Sequence, residues 1–216
     1  MIELMDLGFQ IYEETWKLQK ALVEKRIKDE IPDTLILVEH DPVFTLGRNR
    51  DWSNLLFPSD QLLKEGFKLY KIERGGDITY HGPGQLVGYP IFRIENALAG
   101  VKGFVYKIEE VLTRVLGGYG INAFRHNKYT GVFTEKGKIA SIGVAFKKWV
   151  SFHGFSLNVN NDLKPFTYIN PCGITDIPMT SMKECLSKEV DFGELKGKVY
   201  QKFLDVFEYD SQNDEN

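Results

Sequence analysis

The chain has 216 residues, 43% of them hydrophobic, and a formal net charge of -3. That length suffices for one substantial core. The slight acidic excess argues against a general nucleic-acid binder, and no apolar run reaches the length of a membrane span. The first residues, MIELMDLGFQ, have neither the basic start and apolar stretch of a signal peptide nor the Arg-rich character of a transit peptide. Two cysteines, Cys172 and Cys185, make no C-x-x-C pair and no disulfide framework. A reducing cytoplasm in which both thiols stay free is therefore expected.

In chain order, residues 8–30 are expected to form a helix, with Tyr12, Trp16, Val23 and Ile27 at helical spacing and Pro32 as its stop. TLILVEH reads as a buried strand, FTLGRNRDWSNLL as a turn and connector, and KLYKIER as a second strand. GGDITYHGPGQ reads as a loop and LVGYPIFRI as a third strand. The clearest helix spans roughly 102–116, where Val105, Ile108, Leu112 and Val115 share one face and Gly117 and Gly118 end it. GVFTEKGKIASIGVAF is expected to fold as a hairpin turning at 135–137, with VSFHGFSLNV pairing beside it. A last helix starts near Asp191 and Glu194, which have capping-box spacing, and buries Leu195, Val199, Phe203 and Val206. Hairpins separate the strands as often as helices do, which favours an α+β fold. One domain is expected over 1–209, with 210–216 as a disordered acidic tail.

The densest stretch is RGGDITYHGPGQL, residues 74–86. A turn-rich loop needs glycines, but it does not need Arg74, Thr79, Tyr80, His81 and Gln85 together. The stretch is neither a dinucleotide fingerprint nor a Walker A loop. NVNNDL starts like a calcium loop, but positions 6 and 12 are Leu163 and Ile169 where Gly and Glu belong. His40, His81, His126 and His153 make no short zinc-ligand pattern, so no metal and no cofactor is expected.

Cys172 stands between Pro171 and Gly173. A lone cysteine is commonly a small buried hydrophobe. Here, however, Asn170 is biased to extended geometry by the following proline, and Gly173 frees the chain to bend. Such a turn can expose a nucleophile. A free thiol of pKa about 8.5 is mostly protonated at pH 7, and a cation that lowers it by about two units makes thiolate the major form. Lys138, opening a strand between Gly137 and Gly143, is a candidate, although from spacing alone the reading as a solvated hairpin lysine prevails. Cys185 lacks such a frame and is read as structural.

Taken together, RGGDITYHGPGQLVGYPI, EHDPVFTLG, GKIASIGV, FHGFSLNVNNDL and INPCG resemble the signature stretches of the lipoyl/octanoyl-transferase family, in the right order from about residue 35 to 175. The resemblance implies the biotin protein ligase and lipoate ligase fold: a large mixed, mostly antiparallel sheet flanked by helices, with a smaller sheet beside it. It implies that Cys172 carries the acyl group as a thioester and that Lys138 lowers its pKa and shuttles protons. It implies a substrate pocket at Arg74, Gly75, Gly76, Asp77, Ile78, Thr79, Tyr80 and His81, at Ser141, Ile142 and Gly143, and at Gly154, Phe155 and Ser156. The implied donor is octanoyl-acyl carrier protein. The implied acceptors are lipoyl domains of 2-oxoacid dehydrogenase E2 subunits and the glycine cleavage H protein.

The chemistry suits these residues. Thioester exchange onto a cysteine is nearly isoenergetic and needs no ATP, and attack by a lysine amine then gives a stable amide. Burying about six methylenes at ~0.8 kcal/mol each gives about 5 kcal/mol, enough to select octanoyl over much shorter chains. Two rivals remain at this stage. An ATP-dependent lipoate-protein ligase would share the fold but need no cysteine nucleophile. A non-catalytic relative that binds lipoyl domains would not need Lys138 and Cys172 together.

Overall fold

A computed structural model describes residues 1–94, 100–173 and 176–211, with the side chains of residue 172 and of residues 208–211 outside the description. The chain starts with strand β1 (Ile2–Gln10), helix α1 (Tyr12–Ile27) and strand β2 (Asp33–His40). β1 lies parallel to β2, as a strand–helix–strand crossover requires. Next come β3 (Val43–Leu46), a 3-10 turn at Trp52–Asn54, α2 (Ser59–Lys64), β4 (Lys68–Lys71) and β5 (Thr79–His81). β6 (Gln85–Ile91), α3 (Gly100–Gly117), β7 (Phe124–Arg125), β8 (Val132–Thr134), β9 (Gly137–Lys147) and β10 (Val150–Asn158) follow. After 3-10 turns at Lys164–Tyr168 and Pro171–Gly173, α4 (Met182–Leu186) and α5 (Phe192–Ser211) complete the described chain.

The strands form a seven-stranded sheet in the order β1-β2-β6-β10-β9-β8-β7 and a three-stranded sheet in the order β4-β3-β5. Among the described strand pairs of the large sheet, only β1–β2 is parallel. This is the mixed, mostly antiparallel architecture expected from the sequence. β2 explains the continuous apolar run TLILV. Its side chains alternate faces, so Leu35 and Leu37 join the core under α3 and α5, while Ile36 and Val38 pack with Leu22 and Val23 of α1. A third cluster, with Phe44, Leu46, Ile78, Tyr80 and Phe166, fills the small sheet. None of the described helices is long and apolar enough to cross a membrane.

Several local expectations shift. Residues 8–10 belong to β1, and the helix starts at Tyr12. Gly8, at φ +61°, sits where the β1 register slips between Asp6 and Phe9, so pairing to a buried neighbour overrides local helix propensity there. The buried face of α1 is Tyr12, Thr15, Gln19, Leu22 and Val23. Two of those five are polar, which hid the face from an apolar-spacing reading; Trp16 and Ile27 lie at its margins. The stretch read as a loop at 75–85 contains β5, and α3 runs slightly past both expected ends. At the last helix Asp191 Oδ1 accepts from Glu194 N at 2.7 Å, as the cap spacing implied. That helix extends through Ser211, two residues into the expected tail; residues 212–216 lie outside the described residues.

Phe203 on α5 is fully buried and packs against Phe92, Phe155 and Phe207 with ring centroids 6.0, 5.8 and 5.3 Å away. Phe203→Ala is expected to cost about 3–5 kcal/mol of unfolding free energy in urea titrations. Phe9→Ala, at an exposed position of β1, is expected to change it by under about 0.5 kcal/mol.

Candidate active site

Where β5 of the small sheet meets β9 and β10 of the large one lies a narrow cleft that opens to solvent. Its floor comes from two antiparallel neighbours in register: Ser141, Ile142 and Gly143 of β9 face Ser156, Phe155 and Gly154 of β10. Glycine is needed at the close approaches. A Cβ at Gly143 would come within 2.9 Å of Arg74 Cδ and Gly75 O, and one at Gly154 would run into the Gly88 carbonyl. The loop before β5 crosses the floor, tied by Gly75 N donating to Val144 O at 3.0 Å.

Of the residues expected from 74–81, Arg74, Thr79 and His81 line the cleft. The strand period explains this: Thr79 and His81 face the cleft, while Ile78 and Tyr80 turn into the small-sheet core. Gly75 and Gly76 form the crossing loop, Gly76 at φ +85°, and Asp77 is buried beside Asn54. The Arg74 guanidinium donates to Thr45 O at 2.6 Å and to Thr45 Oγ1 at 2.9 Å. Thr79 Oγ1 and Ser141 Oγ are buried without a hydrogen-bond partner among the described residues. Both hydroxyls belong to cleft-lining residues.

Tyr12, Ile72, Val87, Tyr89 and His153 also line the cleft and were not expected from the sequence as residues of the substrate site. Three buried histidines set its electrostatics, and their partners fix their tautomers. His40 Nδ1 donates to Gln10 O at 3.0 Å, so its Nε2 accepts from Tyr89 OH at 2.8 Å. His81 Nδ1 donates to Gln85 Oε1 at 2.8 Å, because Gln85 Nε2 already donates to Tyr80 O and Asn158 Oδ1. His153 Nε2 donates to Glu73 Oε2 at 3.3 Å, which leaves Nδ1 an acceptor without a partner among the described residues. Burial drives His40 down to about 4 and, with the nearby His40 and Arg74 charges, His81 down to about 3. Burial also lowers His153, against the pull of Glu73. Burial alone would raise the Glu73 carboxyl, but hydrogen bonds from His153, Lys20 and Trp16 outweigh it and bring Glu73 to about 2.

Lys138 stands on β9 three residues before the cleft-lining Ser141. It is 1% exposed, and its Nζ has no hydrogen-bond partner among the described residues. Lys138 N donates to Pro178 O at 2.8 Å and Thr180 N donates to Lys138 O at 3.0 Å, so residues 178–180 run along the start of β9. This segment follows the 3-10 turn Pro171–Gly173 that contains Cys172. Cys185 is a free, partly buried thiol with Thr180 Oγ1 at 3.9 Å.

Residues 11–204 match the model of the lipoyl protein ligase A/B catalytic domain. The chain belongs to that family. Within the family it is similar to the octanoyltransferase of Dictyoglomus thermophilum, 49% identical over 200 residues that span 93% of this chain and 84% of that protein. In fold the family member resembles a bi-partite lipoate protein ligase from Thermoplasma acidophilum, with a TM-score of 0.74 at 16% identity over 95% of this chain and 83% of that one. It also resembles the biotin protein ligase of Aquifex aeolicus, with a TM-score of 0.55 at 13% identity over 97% and 70% of the two chains.

The histidines make a stability prediction for this family member. Unfolded, each titrates near 6.5; folded, His40 and His81 stay neutral down to about 4 and about 3. Their folded values are depressed, so their contribution is complete above about pH 6.5 and is lost as pH falls toward the folded values. Unfolding free energies from urea titrations are expected to drop between pH 7 and pH 5, by about 1–2 kcal/mol per histidine. A flat profile over that range would contradict the buried neutral assignment.

Proposed function

We propose that this chain transfers an octanoyl group from acyl carrier protein to a lysine of lipoyl domains through an acyl-thioester on Cys172, with Lys138 as its proton-handling partner. The observation that supports this reading most is a buried lysine ammonium, without a hydrogen-bond partner among the described residues, beside the segment that leaves the cysteine turn. Similarity to octanoyltransferases supports the acyl chemistry and favours transfer over ATP-dependent ligation.

In the first step the Cys172 thiolate attacks the thioester carbonyl carbon. A new C–S bond forms, the bond to the carrier sulfur breaks, and the departing thiolate takes a proton from the Lys138 ammonium, leaving Lys138 neutral. In the second step the acceptor amine attacks the acyl-cysteine. A C–N bond forms, the C–S bond to Cys172 breaks, and the amine's proton passes to Lys138, which restores the starting charge state. Ile72, Val87, Ile142 and Phe155 offer the hydrocarbon chain an apolar wall, and the neutral histidines keep net charge out of its path. The Thr79 and Ser141 hydroxyls are free to donate to the acyl carbonyl. The acceptors are the lipoyl domains of 2-oxoacid dehydrogenases and of the glycine cleavage system. The setting is the cytoplasm, where thiols stay reduced.

Incubation with octanoyl-carrier, without ATP or Mg²⁺, is expected to add the mass of one octanoyl group at Cys172. Cys172→Ala should accept none, Cys185→Ala should behave as wild type, and Lys138→Ala should slow transfer at least about a hundredfold. Acylation that required ATP and Mg²⁺ would favour the ligase reading instead.

A further inference from the structure

The connector at residues 51–56 reaches across to the cysteine turn. Asp51 Oδ1 accepts from Ser53 N at 3.0 Å and starts the 3-10 turn Trp52–Asn54. Residues 54–56 then run antiparallel to 168–170. Leu56 N donates to Tyr168 O at 2.8 Å, Asn170 N donates to Asn54 O at 2.9 Å, and Leu55 bridges to Ile169. Asn170 O accepts from Gly173 N at 3.0 Å and closes the turn that contains Cys172.

The Asn54 side chain joins this turn to the loop over the cleft. Its Nδ2 donates to Asp77 Oδ2 at 2.7 Å, and its Oδ1 accepts from Asn170 Nδ2 at 3.3 Å. The other Asp77 oxygen accepts from Ile78 N at 2.7 Å, at the entrance to β5. A carboxylate on one side and an amide donor on the other fix the orientation of the Asn54 amide. The last residue of the turn lies against the same pair: a Cβ at Gly173 would be 3.9 Å from Asn54 Nδ2 and 3.9 Å from Asp77 Oδ2.

We infer that Asn54 is a positioning residue for the nucleophile: its amide clamps the Cys172 turn to Asp77 and so sets the turn's distance from the cleft. The inference rests on the reading that Cys172 carries the acyl group. A small reactive turn has little packing of its own to hold it, and displacement of a nucleophile by about 1 Å can cost on the order of a hundredfold in rate. Aspartate at position 54 would keep the shape but replace the donor with a like charge facing Asp77, so it should not substitute for asparagine.

The test is single-turnover acylation by octanoyl-carrier, steady-state kinetics and amide hydrogen exchange on the full chain. Asn54→Ala and Asn54→Asp are each expected to lower kcat and the acylation rate about tenfold or more. The KM for octanoyl-carrier should stay within about twofold, and the folded fraction at assay temperature should be unchanged. Exchange at the Gly173 amide should accelerate while exchange in β10 does not. Combining Asn54→Ala with Asp77→Ala should be no slower than the slower single variant, since both break one link. Wild-type kcat in Asn54→Ala, recovery of activity in Asn54→Asp, or a loss explained by unfolded protein would overturn the proposal. Failure of the wild type to become acylated at Cys172 would instead overturn the functional reading. The clamp would still be judged by Gly173 exchange, with faster exchange in Asn54→Ala supporting it and an unchanged rate overturning it.

Discussion

Burial of the Lys138 side chain is the constraint around which the start of β9 and its neighbours are built. Taking an ammonium out of water costs several kcal/mol unless opposite charge and hydrogen bonds compensate. β9 begins at Gly137, whose φ of +136° lets the chain turn close against Pro178. Gly131 leaves room for the lysine stem, since a Cβ there would come within 2.8 Å of Lys138 Cε. The Phe133 ring lies 5.7 Å from Nζ. Glu109, inward-facing on α3, is held by Gly131 N at 2.9 Å; burial raises its carboxyl, while Gly131, Arg125 and the Lys138 charge draw it back down. The surroundings thus offer Lys138 a carboxylate on α3 and leave its Nζ without a hydrogen-bond partner among the described residues; in the proposed mechanism a cysteine thiolate takes that place.

The cleft follows an opposite electrostatic plan. Its histidines are buried and neutral, its tyrosine hydroxyls are held away from ionisation by burial, and its fixed charge, Arg74, is turned toward the small sheet. In the proposed mechanism the neutral side chains along the cleft accommodate the hydrocarbon chain, and bond exchange takes place at Cys172 and Lys138. Strand β9 serves both parts, because it carries Lys138 at its start and Ser141–Gly143 a few residues on.

The parts legible in the sequence are those whose chemistry is local. The glycine-rich 74–86 stretch, the Pro-Cys-Gly frame and the amphipathic helix over α3 each announce themselves within a short window. What was hidden depends on distant pairing. β1 is a strand because β2 lies beside it, and Gly8 marks a bulge that only the register reveals. Tyr12 and His153 reach the cleft from a helix start and a strand with φ of +55° at the histidine, neither of which spacing exposes. Glu73 stood next to Arg74 in KIERGG, but its partners Trp16, Lys20 and His153 come from two other elements. Asn54 looked like part of a plain connector because its partners, Asp77 and Asn170, lie far along the chain.

The most direct measurement of the central claim is the rate of Cys172 alkylation by iodoacetamide as a function of pH, in wild type, Lys138→Ala and Lys138→Arg. If the buried ammonium stabilises the thiolate, the wild-type midpoint lies below that of a free thiol, near 8.5. Lys138→Ala should shift it upward by at least about one unit. Lys138→Arg should keep most of the thiolate but not the transfer rate, since a guanidinium does not give up its proton. The same midpoint in wild type and Lys138→Ala would contradict the account and leave Lys138 as a buried structural lysine.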